Sequence, residues 1–92
     1  MSQVTAYYFW SPTCNPCKTI KPVMNELHDE FPEINWISVN TKEDPNGYKT
    51  KFNVAVVPTL VLVKNDILVG SYSGTNISIF YSLIRKALST TA

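Results

Sequence analysis

Trp10-Ser11-Pro12-Thr13-Cys14-Asn15-Pro16-Cys17-Lys18 stands at a change of periodicity from which the rest of the chain can be laid out. Before it, Val4 to Trp10 (VTAYYFW) is a run of aromatic and β-branched residues, which predicts a strand buried on both faces. After it, Ile20, Val23, Met24, Leu27 and Phe31 recur at three- and four-residue spacing. That pattern predicts an amphipathic helix from Asn15 to Glu30. Pro16 falls in the first helical turn, where its missing N–H has no partner to lose. Pro22 is interior; it deletes the bond to the Lys18 carbonyl and is expected to bend the helix.

Outward from there the punctuation continues. Ile34 to Val39 reads as a second short strand. Asp44-Pro45-Asn46-Gly47 is a turn or a frayed helix start, followed by a short segment with Tyr48 and Phe52 four residues apart. Thr59 to Val63 and Ile67 to Tyr72 are β-rich runs separated by Lys64-Asn65-Asp66, a hairpin signal. Gly74 closes the hairpin, and Thr75 or Asn76 is placed to cap a last helix. In that helix Ile79, Phe80, Leu83, Ile84, Ala87 and Leu88 form one apolar stripe. The order βαβαββα calls for an α/β fold with a mixed four-stranded sheet and helices on both faces.

The chain has 92 residues, 45% of them hydrophobic and 16% charged, with net charge +1, so residues 1–92 are expected to form a single small domain. A near-neutral balance without a Lys/Arg cluster argues against nucleic acid as partner. No run approaches the ~20 apolar residues that span a bilayer, and MSQVTAYYFW has no secretory pattern. The expected compartment is therefore a reducing cytoplasm, where the two cysteines are expected to be reactive.

Cys14 and Cys17 carry that chemistry. Three-residue spacing on a helix brings two side chains to one face, with Cα atoms about 5 Å apart, inside the range a disulfide accepts. Cys14 lies at the helix N-terminus, where unpaired N–H groups and the macrodipole favour thiolate, the form that attacks a disulfide. Cys17, one turn further in, is suited to resolving the resulting mixed disulfide. Two blander readings compete. A structural staple across so short a loop removes roughly 2 kcal/mol of unfolded-state entropy, less than longer loops give. Zinc needs about four ligands, and the chain adds only His28 to the two cysteines. His28 is roughly 16 Å further along the same helix, so only a dimer sharing two cysteine pairs would complete such a site.

The context of the pair resembles the thioredoxin family. The resemblance rests on Phe9 and Trp10 ending the strand, Cys14-Asn15-Pro16-Cys17-Lys18 opening the helix, Pro22 within it, Val57-Pro58-Thr59 opening a later strand, and Gly74. It covers nearly the whole chain and implies the thioredoxin fold: four mixed strands and three helices, without the strand and helix that usually precede the aromatic strand. It also implies a cis Pro58 facing the cysteines, with the Val57 backbone pairing to an extended substrate segment. Thr13, Asn15, Pro16, Ser73 and Gly74 would complete the substrate surface. In this family no cofactor beyond the redox-active disulfide is needed.

Three departures set this chain apart. The family's buried acid, six residues before the first cysteine, is Tyr8, whose pKa near 10 makes a poor proton acceptor. The family's neighbouring lysine is Ser38, so an ion pair is lost. Thr13 replaces an exposed tryptophan and Ser73 an apolar rim residue, giving a more polar docking face. Lys18 matches the family lysine. Asn15 replaces glycine, a change able to move the redox potential. Glutaredoxins share the length and the Val-Pro, but their cysteine pair usually encloses Pro-Tyr and their Gly-Gly turn is missing here.

The resemblance implies an enzyme: a cytoplasmic, monomeric protein-disulfide reductase in which Cys14 attacks and Cys17 resolves. Its clients would be disulfide-containing proteins such as ribonucleotide reductase, with thioredoxin reductase or glutathione as the reductant. The alternatives are a glutathione-dependent reductase of glutaredoxin type, or a thioredoxin-fold binding subunit of a larger assembly.

Overall fold

The computed structural model of the protein describes residues 3–89. In chain order the elements are β1 (Val4–Trp10), α1 (Asn15–Glu30), β2 (Asn35–Asn40), α2 (Tyr48–Lys51), β3 (Thr59–Lys64), β4 (Ile67–Ser73) and α3 (Ile77–Ser89). The strands lie in the order β2-β1-β3-β4. β1 pairs with β2 in parallel, and β1–β3 and β3–β4 are antiparallel. This is the mixed sheet expected from the element order. β2 begins one residue later than Ile34, because the Ile34 amide is spent on the Phe31 carbonyl, 3.1 Å away, in the turn that ends α1.

Local chemistry accounts for the joints. Asn65 and Asp66 both have positive φ, 52° and 68°, while Lys64 and Ile67 pair across the ladder. That is the two-residue primed turn whose twist suits a hairpin, and Asn and Asp tolerate it. Leu62 pairs with Gly70 but Val63 with Leu68, so Val69 is a bulge. Asp44 receives the amides of Tyr48 (3.1 Å) and Lys49 (2.8 Å), which anchors the single turn of α2. Of the two cap candidates before α3 it is Asn76 that acts, accepting from the Ser78 amide at 3.1 Å. α1 runs unbroken across Pro22.

Alternation along the strands splits the core in two. Val4 and Ala6 of β1 and Leu60 and Leu62 of β3 pack with Ile20, Met24 and Leu27 of α1 and Phe80, Ile84 and Ala87 of α3. Phe9, Val61 and Val63 point to the other face, with Val39, Val54 and the rings of Tyr7, Tyr48 and Phe52. The first face carries two long helices and the second only the short α2. The C-terminal end of β1, held by the amide and hydroxyl of Thr41 on the Trp10 carbonyl (2.9 and 3.2 Å), therefore feeds directly into α1.

Candidate functional site

Cys14 is the N-cap of α1, with extended backbone (φ −90°, ψ 106°), and Asn15 and Pro16 form the first helical turn. The turn is set by the Cys14 amide on the Ser11 carbonyl and the Lys18 amide on the Cys14 carbonyl, each 3.2 Å. The Cys17 amide donates to the Cys14 sulfur at 3.1 Å, a cap in which sulfur takes the place usually held by oxygen. Cys14 and Cys17 are joined as a disulfide with Cα atoms 5.2 Å apart. Cys14 is half-buried, whereas Cys17 is only 4% exposed and faces the core. Cys14 is thus the less buried member of the pair and Cys17 the sheltered one.

Around the pair, Thr13, Asn15, Pro16 and Lys18 are exposed. The Thr13 hydroxyl lies 3.4 Å from that of Ser11, and the Asn15 carbonyl accepts from the Thr19 hydroxyl at 3.2 Å. A second group of expected residues gathers at the same end of the sheet. Thr59 pairs with Phe9 of β1 and with Ser73 of β4, which places the preceding Val57-Pro58 beside the end of β1. The Val57–Pro58 bond is cis. The Thr59 hydroxyl donates to the Val56 carbonyl at 2.7 Å, so the Ser73 hydroxyl, also 2.7 Å away, is the donor to Thr59. The Gly74 amide donates to the Pro58 carbonyl at 3.0 Å. Gly74 has φ +143°, a conformation that favours glycine, and a Cβ there would stand 2.6 Å from the Tyr72 hydroxyl, so that the Tyr72 ring would have to shift.

Sequence reasoning missed Val56. It is 57% exposed next to the cis bond, so this side of the rim is apolar even though Thr13 and Ser73 are polar. In Val54-Ala55-Val56-Val57-Pro58 five small apolar residues follow one another. No periodicity marks which of them faces out.

Tyr8, Ser38 and Lys18 meet in one place. With Cys17 they line a cavity of about 430 Å³ between α1 and the β1–β2 edge. Tyr8 and Ser38 are direct partners in the parallel ladder. The Ser38 hydroxyl accepts from the Trp10 indole N–H at 2.7 Å. The Tyr8 hydroxyl is buried and has no hydrogen-bond partner among the described residues. Burial pushes its pKa from 10.0 up to about 12, so it remains a neutral phenol.

These features describe a small α/β protein with a disulfide at a helix mouth. A sequence model described as "Thioredoxin" matches residues 2–86, and the chain belongs to the thioredoxin family. It is 39% identical over 67 residues to the thioredoxin of Haemophilus influenzae, an alignment covering 72% of this chain and 62% of that protein. The chain thus spans less than two thirds of the length of that relative. Among solved structures, Fasciola hepatica thioredoxin superposes with a TM-score of 0.81 and 26% identity, covering 91% of this chain and 81% of that one. A chain from the crystal structure of a complex of ferredoxin:thioredoxin reductase and thioredoxin f2 superposes with a TM-score of 0.86 at 21% identity, covering 95% and 79%. That last likeness is one of fold, and the fold here is that of thioredoxin.

Proposed function

We propose that the chain is a dithiol–disulfide oxidoreductase that reduces disulfides in client proteins. The observation that carries this reading is the disulfide between a half-buried Cys14 at the helix N-cap and a sheltered Cys17 one turn inside. In the reduced protein the Cys14 thiolate, stabilised by the helix N-terminus, attacks a client disulfide. A Cys14–client bond forms and one client thiolate leaves, to be protonated by solvent. The Cys17 thiolate then attacks the Cys14 sulfur, closing the Cys14–Cys17 bond and releasing the second client thiolate. The client gains two electrons and the chain loses two. An external dithiol returns them by the reverse exchange, and the two sulfurs themselves carry the electrons.

Val57 and Pro58 are proposed as the client-docking edge. Among the described residues the Val57 amide and carbonyl make no backbone hydrogen bond, which leaves them available to an extended segment. Thr13, Asn15, Pro16, Val56, Ser73 and Gly74 frame that edge. Lys18 adds positive charge near the helix mouth. Tyr8 and Ser38, where the family's acid and lysine would stand, leave the surroundings of Cys17 without an ion pair. The reductant is proposed to be a thioredoxin reductase, the chain to act as a monomer, and its compartment to be the cytoplasm.

The test is insulin reduction by dithiothreitol. Wild type accelerates it; Cys14→Ser abolishes the acceleration; Cys17→Ser traps clients as mixed disulfides. A wild-type chain that gives no acceleration would sink the proposal. A partner retained by the Cys14→Ser/Cys17→Ser double variant would instead support a binding subunit.

A further inference from the structure

The cavity beneath the disulfide has a lining that neither the exchange chemistry nor the docking edge uses. α1 contributes Lys18, Lys21, Asn25 and His28, which recur at three- and four-residue spacing and so lie along one stripe of the helix. Trp10 and Trp36 stand among the opposing walls. Both indole N–H groups are already engaged, Trp10 with the Ser38 hydroxyl and Trp36 with the Phe31 carbonyl at 3.1 Å, so the rings offer only apolar surface. Met24 and Ile37 extend that surface. The hydroxyls of Tyr8 and Ser38 each keep a hydrogen to donate, the first of them buried and unpartnered. Lys18 and Lys21 form no salt bridge among the described residues, and no Asp or Glu lines the cavity.

The cavity volume of about 430 Å³ falls within the range of small-molecule sites, which are mostly apolar with a few convergent polar groups. Here the fixed charges are the Lys18 and Lys21 cations, beside the Asn25 amide, the His28 imidazole and the serine and tyrosine hydroxyls, while the walls are aromatic and aliphatic. An occupant that satisfies both must carry a negative, acceptor-rich group on an apolar body. We propose that this cavity binds a low-molecular-mass carboxylate with an aromatic or branched apolar body, the carboxylate meeting Lys21, Lys18 and the exposed Ser38 hydroxyl and the body lying between Trp10 and Trp36. A phosphate or acetate ion alone would leave the indole walls unfilled, and a neutral aromatic would bring no charge to the exposed Lys18 and Lys21 ammonium groups.

The experiment uses the oxidised full chain with 3-phenylpropionate as probe and 3-phenylpropionamide and acetate as controls, all at one ionic strength. The chain has only two tryptophans and both line the cavity, so intrinsic fluorescence reports its occupancy directly. Amide chemical-shift mapping locates the probe. The expected result is binding of the acid at least about tenfold tighter than the amide or acetate, with shifts centred on Lys21, Asn25 and Trp36. Lys21→Gln and Lys18→Gln, each checked for native circular dichroism, should weaken the acid several-fold and leave the amide unchanged. Equal affinity for acid and amide overturns the proposal, as does acetate binding as well as phenylpropionate, which would mean an adventitious ion only. Shifts confined to another surface, or no binding up to the solubility of the probe, overturn it too. The oxidised protein undergoes no turnover in this assay, so the outcome is independent of insulin reduction.

Discussion

Tyr8 and Ser38 are opposite one another in the β1–β2 ladder, yet they share no hydrogen bond. Ser38 is held by the Trp10 indole instead, and the phenol of Tyr8 is left buried and unpaired. An unmet buried hydroxyl costs on the order of 1–3 kcal/mol. Tyr8→Phe removes the hydroxyl and keeps the ring, so it should stabilise the oxidised protein by about 1 kcal/mol in urea unfolding. A loss of stability of similar size would show that the phenol has a partner in solution.

The same residue predicts an alkaline signature. The folded chain holds the Tyr8 proton up to about pH 12, whereas the unfolded chain releases it near 10.0. The folded state therefore binds the proton more tightly, so its contribution is complete below pH 10 and is lost as pH rises toward 12. Stability measured across this window should fall with a steeper slope in wild type than in Tyr8→Phe. Part of the slope will persist in the variant, because burial also raises Tyr7 and the hydrogen bond to Glu30 raises Tyr81.

Gly74→Ala should destabilise by about 1–3 kcal/mol, since the new methyl meets the Tyr72 hydroxyl at 2.6 Å and the backbone is held at φ +143°. Tyr72→Phe removes the nearest atom, but the ring carbon at 3.0 Å and the backbone strain remain. The double variant should accordingly recover part of the loss, and a double-mutant cycle read by urea midpoints measures how much. Strict additivity would place the Gly74 penalty entirely in the backbone.

Reduced protein treated briefly with iodoacetamide should be alkylated first at Cys14. Cys17 is 4% exposed, and the helix N-terminus favours the Cys14 thiolate. Peptide mass spectrometry gives the order, and the pH dependence of the Cys14 rate should have its midpoint below the free-thiol value of about 8.5. Equal labelling of the two sulfurs would contradict the division of roles between them.

Asp44→Ala should cost about 0.5–2 kcal/mol by releasing the amides of Tyr48 and Lys49. The effect should be visible as faster hydrogen exchange across α2 and reduced packing of Tyr48 on Tyr7, whose rings lie 4.9 Å apart.

Much of this protein was readable from its residues. The bounds of β1 and α1, a hairpin turn at Lys64-Asn65-Asp66, a cap at Thr75 or Asn76 and the placement of Cys14 at a helix mouth all follow from a few neighbouring residues: strand-forming side chains, helical periodicity, tolerance of positive φ, a capping oxygen. Those preferences act over one turn of chain and need no distant partner. Other features depend on which residues of distant segments come together. The Trp10–Ser38 bond spans 28 positions, the Gly74–Pro58 bond ties two loops, and the cavity gathers β1, α1 and β2 around one orphaned phenol. The exposure of Val56 was equally invisible, because burial in an aperiodic apolar run depends on what packs over it. Local propensities thus determined the elements and the reactive pair, while the surroundings of that pair were decided only when the sheet closed, because hydrogen bonding and desolvation belong to neighbours in space.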